Sequence, residues 1–306
     1  MDTLKRFRSL ANLLFLLLAV TIVFVPAGRK GAGGNQLLTL TVAVESLYVI
    51  FLLASRDRIR ARTAGDLTAI FYAVLLAWEL ATTRFDLLDA MLYPMPNQIM
   101  TLMIKDAAEL AKGLASSLRL LLAGYCAALA TAIPLALVIG WRKRLHSAVT
   151  PITRILGPIP PIVYIPYAIA IFPTFMISSM FIIFIGAFWP VFINTLNGVF
   201  TVDRRIIDSA RALNVGEGSM LFRVILPASL PSVISGANIG LVLSFILLTA
   251  AEMIGATSGL GWYVKYFSDF TDYKRVIVGI IFIGFVVTGI IFCLDRLEKR
   301  LLRWRG

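Results

Sequence analysis

The sequence predicts an all-α polytopic membrane protein with about eight transmembrane helices, and three observations carry that prediction. Of its 306 residues, 59% are hydrophobic and the mean hydropathy is +0.86, which is more apolar surface than a water-soluble globule of this length can bury. Only 15% are charged, against about 25% in soluble domains. The apolar residues also gather into runs of the length a bilayer demands, about 20 residues of helix for a hydrocarbon core of about 30 Å. Two cysteines and one histidine leave no material for a disulfide scaffold, a metal cluster or a Cys/His nucleophile. The net charge of +12 is spread in short clusters between apolar runs. That pattern orients a membrane protein and does not build a nucleic-acid face, so no nucleic-acid partner is expected.

In chain order the runs fall at 10–26, 37–54, 66–81, 117–140, 151–172, 177–200, 230–254 and 276–294. The third is short and ends in Glu79. With the N-terminus inside, segments 1–9, 55–65, 141–150, 201–229 and 295–306 are cytoplasmic and hold 19 of the 29 Lys and Arg, against 8 in the outer loops. This asymmetry predicts that both termini are cytoplasmic in a multi-pass cell-membrane protein. Lys5, Arg6 and Arg8 before the run 13–25 read as an uncleaved anchor, with a signal peptide ending at Ala27 as the alternative.

Two stretches depart from plain helix. Six of the thirteen prolines, Pro151, Pro158, Pro160, Pro161, Pro166 and Pro173, lie in one span. Each removes a backbone donor and clashes with the preceding turn, so 151–173 cannot be one regular lipid-exposed helix. Bared carbonyls at membrane depth are tolerated against protein or a water-filled cavity. The segment therefore either lines a pathway, with Tyr164 and Tyr167 as its polar-tipped residues, or is a kinked packing helix. Asn194 and Asn197 on the next run are the other pathway candidates, and Phe181 is expected to stand apart from the path. In 201–229, Asp203 is placed to cap a short helix whose Ile206, Ile207, Ala210 and Leu213 form an apolar face, with Arg204, Arg205, Asp208 and Arg211 polar. Asn214 stops that helix, being tolerant of left-handed backbone. A second short helical turn carries Met220, Leu221, Val224 and Ile225 up to Pro227. Two such faces in the cytosol require a partner.

Buried ionisable groups are the remaining departure. Glu45, Glu79 and Glu252 lie in or near spans, where a charge at the helix centre costs about 2.5–3.5 kcal/mol. Glu45 is either protonated or paired with another span. Glu252 is either a solvated carboxylate at the outer helix end or a pathway residue. A proton-coupled secondary transporter using Glu45 and Glu252 is the alternative function these carboxylates leave open.

Residues 208–227, DSARALNVGEGSMLFRVILP, resemble the cytoplasmic coupling signature of type I ABC importer permeases, E-A-A, three residues, G, nine residues, I-x-L-P. Asp208, Ser209 and Ala210 stand for E-A-A, Asn214 falls on the glycine, and Val224, Leu226 and Pro227 fall on I-x-L-P. The departures are Asp for Glu, Ser for Ala, Asn for Gly and Val for Ile. GPIPPIVYIP at 157–166, FIGAFWPVFINTLNGV at 184–199 and AEMIGATSGLGWYV at 251–264 look like the nitrate/sulfonate/taurine subfamily. At 172–175, Phe-Pro-Thr-Phe stands where that subfamily has a Trp-Phe-Gly stretch. Resemblance covers roughly 94–294.

The resemblance implies a permease core of five or six helices over 117–294. Before it come an extra N-terminal hairpin (1–65) and a first core helix with an extracytoplasmic loop (66–116), and after it a basic tail (295–306). It implies a translocation path for a small sulfonate- or nitrate-like solute, shared with a second permease copy or a paralogue. An extracytoplasmic solute-binding protein and two cytoplasmic ATPases complete the assembly, the ATPases docking on 201–229 through Ile206, Ile207, Asp208, Ser209, Ala210, Arg211, Leu213, Asn214, Val224, Leu226 and Pro227. The chain has no GxxxxGK[ST] phosphate loop, so ATP and Mg²⁺ are expected in the partner ATPase, with no cofactor here and no enzymatic activity of its own.

Overall fold

A computed structural model of the chain describes residues 10–30, 34–55 and 57–302. The basic anchor Lys5, Arg6 and Arg8, together with Arg303 and Arg305 of the tail, falls outside the described residues. Among those described there is no strand. The helices are α1 (Leu10–Phe24), α2 (Gln36–Ala54), α3 (Arg58–Glu79, running into a π turn Leu80–Arg84), α4 (Pro96–Lys105) and α5 (Ala107–Trp141). Then come α6 (Lys143–Leu156), a 3₁₀ turn (Pro161–Tyr164), α7 (Ile165–Ile171), α8 (Phe175–Phe200) and α9 (Arg204–Ala212). Helices α10 (Glu217–Gly255), α11 (Leu260–Asp269) and α12 (Tyr273–Leu301) complete the order.

Six helices, α2, α3 with its π turn, α5, α8, α10 and α12, are long and apolar enough to cross a membrane. The proline-rich run breaks as its composition requires: α6 and the turn leading into α7 are bent by 74° and make a seventh span only as a pair. The described part of α1 has 15 residues, about 22 Å of helix, short of the hydrocarbon core. The expected eight spans thus become six straight ones, one broken one and one short helix. The expected outer loop after the third run is also largely helical: it holds α4, opened by Pro96 in its first turn, where the missing N–H costs nothing, and the start of α5.

The chain forms two compact units, one of residues up to 108 with 267–280, the other of 109–266 with 281–306. In the first, α1, α2 and α3 pack through Leu18, Leu37, Tyr72, Leu75 and Leu76. The helical path does not stop at Glu79, the last residue of α3, but continues through the π turn. The Glu79 carboxylate accepts from Arg84 Nε at 2.9 Å and from Thr83 Oγ1 at 2.8 Å, and the same guanidinium donates to the carbonyls of Ile22 and Val25 at the end of α1. The charge is thereby paired and its oxygens filled, the condition for a tolerated buried ion pair. Glu45 accepts from Tyr72 Oη at 3.0 Å, so its partner is a hydroxyl of a neighbouring span.

The second unit is built on α8 against α10. A Cβ at Gly236 would stand 2.9 Å from the Pro190 carbonyl, and one at Gly240 3.1 Å from that of Ala187, so glycines here let two backbones approach as small residues do in membranes. Leu121, Tyr125 and Ala128 of α5 join Ile183, Ala187, Leu241, Phe245 and Leu248 in the largest core cluster. Tyr125 Oη donates to the Ala237 carbonyl at 2.9 Å, so a polar tip inside the bundle is satisfied.

Candidate functional site: a docking turn, an aromatic cleft and a buried carboxylate

The loop 201–216 is a capped, closed turn. Asp203 accepts from the Arg205 N–H at 2.9 Å and so fills the N-cap role expected of it. At the other end of α9, Asn214 has φ 52°, the left-handed conformation expected at the stop. The Asn214 N–H donates to the Arg211 carbonyl at 2.9 Å and the Val215 N–H to the Ala210 carbonyl at 3.2 Å. These two bonds, with Val215 packed in the cluster that contains Ala210, constitute a Schellman motif. The turn is therefore fixed by its own backbone.

Two expectations for this region are corrected. The second short helix is not separate: Met220–Ile225 is a π turn that leads directly into the rest of α10. Pro227 cannot donate to residue 223, and the wider π geometry, with the Leu226 N–H on the Leu221 carbonyl, absorbs that loss without ending the helix. The apolar face of α9 is also divided. Ala210 is only 8% exposed and packs with Leu137, Val199, Met220 and Ile225 beside Trp141, so it closes the turn from inside. Ile207 is half-buried. Ile206 and Leu213, one near-repeat apart on the helix, are 46% and 79% exposed, and Phe222 is 60% exposed. Asp208, Ser209 and Arg211 are exposed, as is Pro227, while Val224 and Leu226 are half-buried. Arg211 lies over the Trp141 ring, 5.7 Å from its centroid.

Around the proline break, Tyr164 and Tyr167 come together with Leu156, Ala168, Ile171, Phe172, Phe181, Ile185 and Trp189 in a cleft of about 370 Å³. Phe181, Ile185 and Trp189 recur every four residues on one face of α8, and Phe172 meets Phe181 with ring centroids 5.0 Å apart. Phe181 was expected to stand apart from the tyrosines; it shares their cleft, because the bend brings the residues after Pro161 back onto α8. Asn194 turns inward along its own helix, donating to the Pro190 carbonyl at 2.8 Å, and Asn197 is exposed. Neither lines the cleft.

Glu252 is 1% exposed, so the solvated helix-end reading is corrected. Its carboxylate accepts from Ser117 Oγ at 2.6 Å and from the Gly261 N–H at 2.8 Å, while Ser117 Oγ accepts from the Leu260 N–H at 2.9 Å. The acid thus ties the first turn of α11 to α5 and α10, supplying partners to N–H groups that a helix start leaves free. Gly259, at φ +131°, makes the turn, and a Cβ there would collide with the carboxylate. Ser117 is the residue that sequence reasoning missed. Only its place on one apolar helix, far along the chain from Glu252, could have signalled it.

Residues 132–305 match the family described as binding-protein-dependent transport system inner membrane component. The taurine transport system permease protein of Escherichia coli is 31% identical over 243 residues, covering 76% of this chain and 88% of that protein. A nitrate import permease protein of Synechocystis is 32% identical over 171 residues, covering 56% of this chain and 62% of that protein. An inward-facing structure of the MetNI methionine ABC transporter superimposes with a TM-score of 0.57 at 18% identity, over 64% of this chain and 98% of that one, and so shares the fold. With the family pattern covering more than half of the sequence, the chain belongs to the binding-protein-dependent transport system inner membrane components, the multi-pass permeases of ABC importers.

Proposed function

We propose that this permease carries a small sulfonate-, taurine- or nitrate-like anion and is driven by two ATPase subunits that dock on 201–229. The observation that supports this most directly is the exposure of Ile206 and Leu213 on a turn closed by Asp203 and Asn214, with Phe222 exposed at the start of the next helix. Apolar side chains on a preorganised turn bury surface without paying to order a loop, which is what a docking point requires. ATP and Mg²⁺ belong to those ATPase subunits. An extracytoplasmic solute-binding protein delivers the solute, a second copy or a paralogue completes the path, and both termini face the cytoplasm.

A single cysteine at Leu213, in a background where Cys126 and Cys293 are replaced by serine, tests orientation and docking together. An impermeant thiol reagent should label it only after permeabilisation, and co-expressed ATPase should slow labelling by about tenfold or more. Labelling in intact cells would reverse the orientation. Equal labelling with and without the ATPase would remove the docking assignment. Leu213→Asp should abolish copurification of the ATPase while leaving the permease in the membrane.

A further inference from the structure

We propose that α6 is a membrane-surface helix that holds anionic phospholipid headgroups through Arg142, Lys143, Arg144 and Arg154, whichever solute the permease carries. Its sequence, KRLHSAVTPITRIL, has no acidic residue, and its side chains sort into three strips at helical spacing. His146, Val149, Thr150 and Thr153 are buried or half-buried on the side that meets α8. Leu145, Ile152, Ile155 and Leu156 form an apolar strip that nothing covers. Lys143, Ser147 and Arg154 occupy the remaining side, all exposed, with Arg142 and Arg144 exposed beside them. None of these four cations makes an ion pair or a side-chain hydrogen bond among the described residues.

Contacts with α8 set the depth of the helix. The 26 residues of α8 make about 39 Å of helix, enough to cross a hydrocarbon core of about 30 Å and bring its end at Phe200 to a membrane surface. His146 stacks on Phe200 with ring centroids 3.9 Å apart, and a Cβ at Gly157 would stand 2.9 Å from Ile193 Cδ1. From His146 to Gly157 the chain advances about 16 Å, while from Phe200 back to Ile193 α8 covers only about 10 Å, so α6 rises obliquely from that surface. Arg154 is thereby carried deeper than Lys143 and Arg144. An unpaired cation at that depth needs an anion that its side chain can reach by snorkelling. Anionic headgroups lie in that layer, where each Lys or Arg adds to the attraction, and the apolar strip enters the acyl boundary beside them as in an interfacial helix. A second copy of the chain fits worse, since at +12 it brings like charge to a helix with no acidic residue.

The test uses the purified full-length permease in phosphatidylcholine nanodiscs containing about one third phosphatidylglycerol, with Cys126 and Cys293 replaced by serine and a bimane fluorophore on Ser147→Cys. Spin-labelled phosphatidylglycerol should quench the fluorophore about threefold or more better than phosphatidylcholine carrying the same label. The same fluorophore on Phe285→Cys, exposed on α12, reports lipid in general and should show no such preference. Replacing Arg142, Lys143, Arg144 and Arg154 by glutamine should erase the preference at 147. On the unsubstituted helix, about 0.5 M salt should cut it by about half, because headgroup attraction is screened. Equal preference at both positions would overturn the proposal and assign the sorting to the bilayer as a whole. A preference that survives either the glutamines or the salt would also overturn it. Quenching by neither lipid would reject it as well and give the exposed strip of α6 to a second copy of the chain.

Discussion

At the turn between α9 and α10 and again between α10 and α11, a residue with positive φ lets one helix stop and the next begin, yet the two turns treat their side chains in opposite ways. The Asn214 turn satisfies itself with backbone bonds and leaves Ile206 and Leu213 facing out. The Gly259 turn draws a carboxylate and a hydroxyl inward until every group of the cluster has a partner. The first is a finished scaffold with exposed apolar side chains, and the second is a junction whose carboxylate and hydroxyl are turned inward and used up. A turn whose polar groups are satisfied by its own backbone can present side chains outward, whereas one whose polar groups are satisfied by distant side chains spends them on the fold.

That contrast can be broken by substitution. The largest effect is expected at the closed junction. Gly259→Val combines a strained backbone with a Cβ driven into the Glu252 carboxylate, and should destabilise the protein by about 2–4 kcal/mol, read as a fall in thermal unfolding temperature in detergent. A melting curve identical to the wild type would show that the junction is open. Next is Ala210→Asp, which separates the inner from the outer side of the Asn214 turn. A charge set among Leu137, Val199 and Ile225 should cost about 2–3 kcal/mol and loosen α9, whereas Leu213→Asp should leave thermal stability within about 0.5 kcal/mol. Equal melting of the two variants would mean that Ala210 does not face inward. The smallest effect is at Asn214. Asn214→Gly should match the wild type in stability and uptake, while Asn214→Val should lose about 1–2 kcal/mol, since a β-branched side chain resists positive φ. If glycine impairs uptake as much as valine does, the Asn side chain and not the backbone is what the partner reads.

Local chemistry made one of these turns legible in the sequence and not the other. Asp203, Asn214 and the run of prolines each act within a few residues, so a cap, a left-handed stop and a broken span follow from residue type and spacing alone. Where the result depends on packing, the sequence misleads. Ala210 sits at the same helical spacing as Ile206 and Leu213, and only Trp141 and Leu137, on another helix, decide that it points inward. Phe181 has no proline near it, and its membership of the cleft depends on a bend made twenty residues earlier in the chain. Glu252 looked solvated because its span ends soon after it, but Ser117 and the start of α11 close over it. Proline counts alone also mislead: Pro134, Pro190 and Pro231 lie inside long helices that continue through them, whereas the adjacent pair at 160–161 breaks the helical path, Pro161 holding Pro160 in extended backbone.

One helix connects the two turns. From Glu217 to Gly255 α10 runs 39 residues, about 58 Å at 1.5 Å per residue, nearly twice the thickness of a hydrocarbon core. In mechanical terms it is a strut with a fitting at each end: the Asn214 turn at one, and the Glu252 carboxylate pinned to α5 and α11 at the other. A load applied beside Leu213 crosses only the short turn 213–216 to reach α10, which then has no loop before Glu252, and the π turn at Met220–Ile225 lies at the loaded end. If the Asn214 turn is where the proposed ATPase docks, a thrust there would be carried along the strut as tilt or axial travel, with the pinned carboxylate as its pivot.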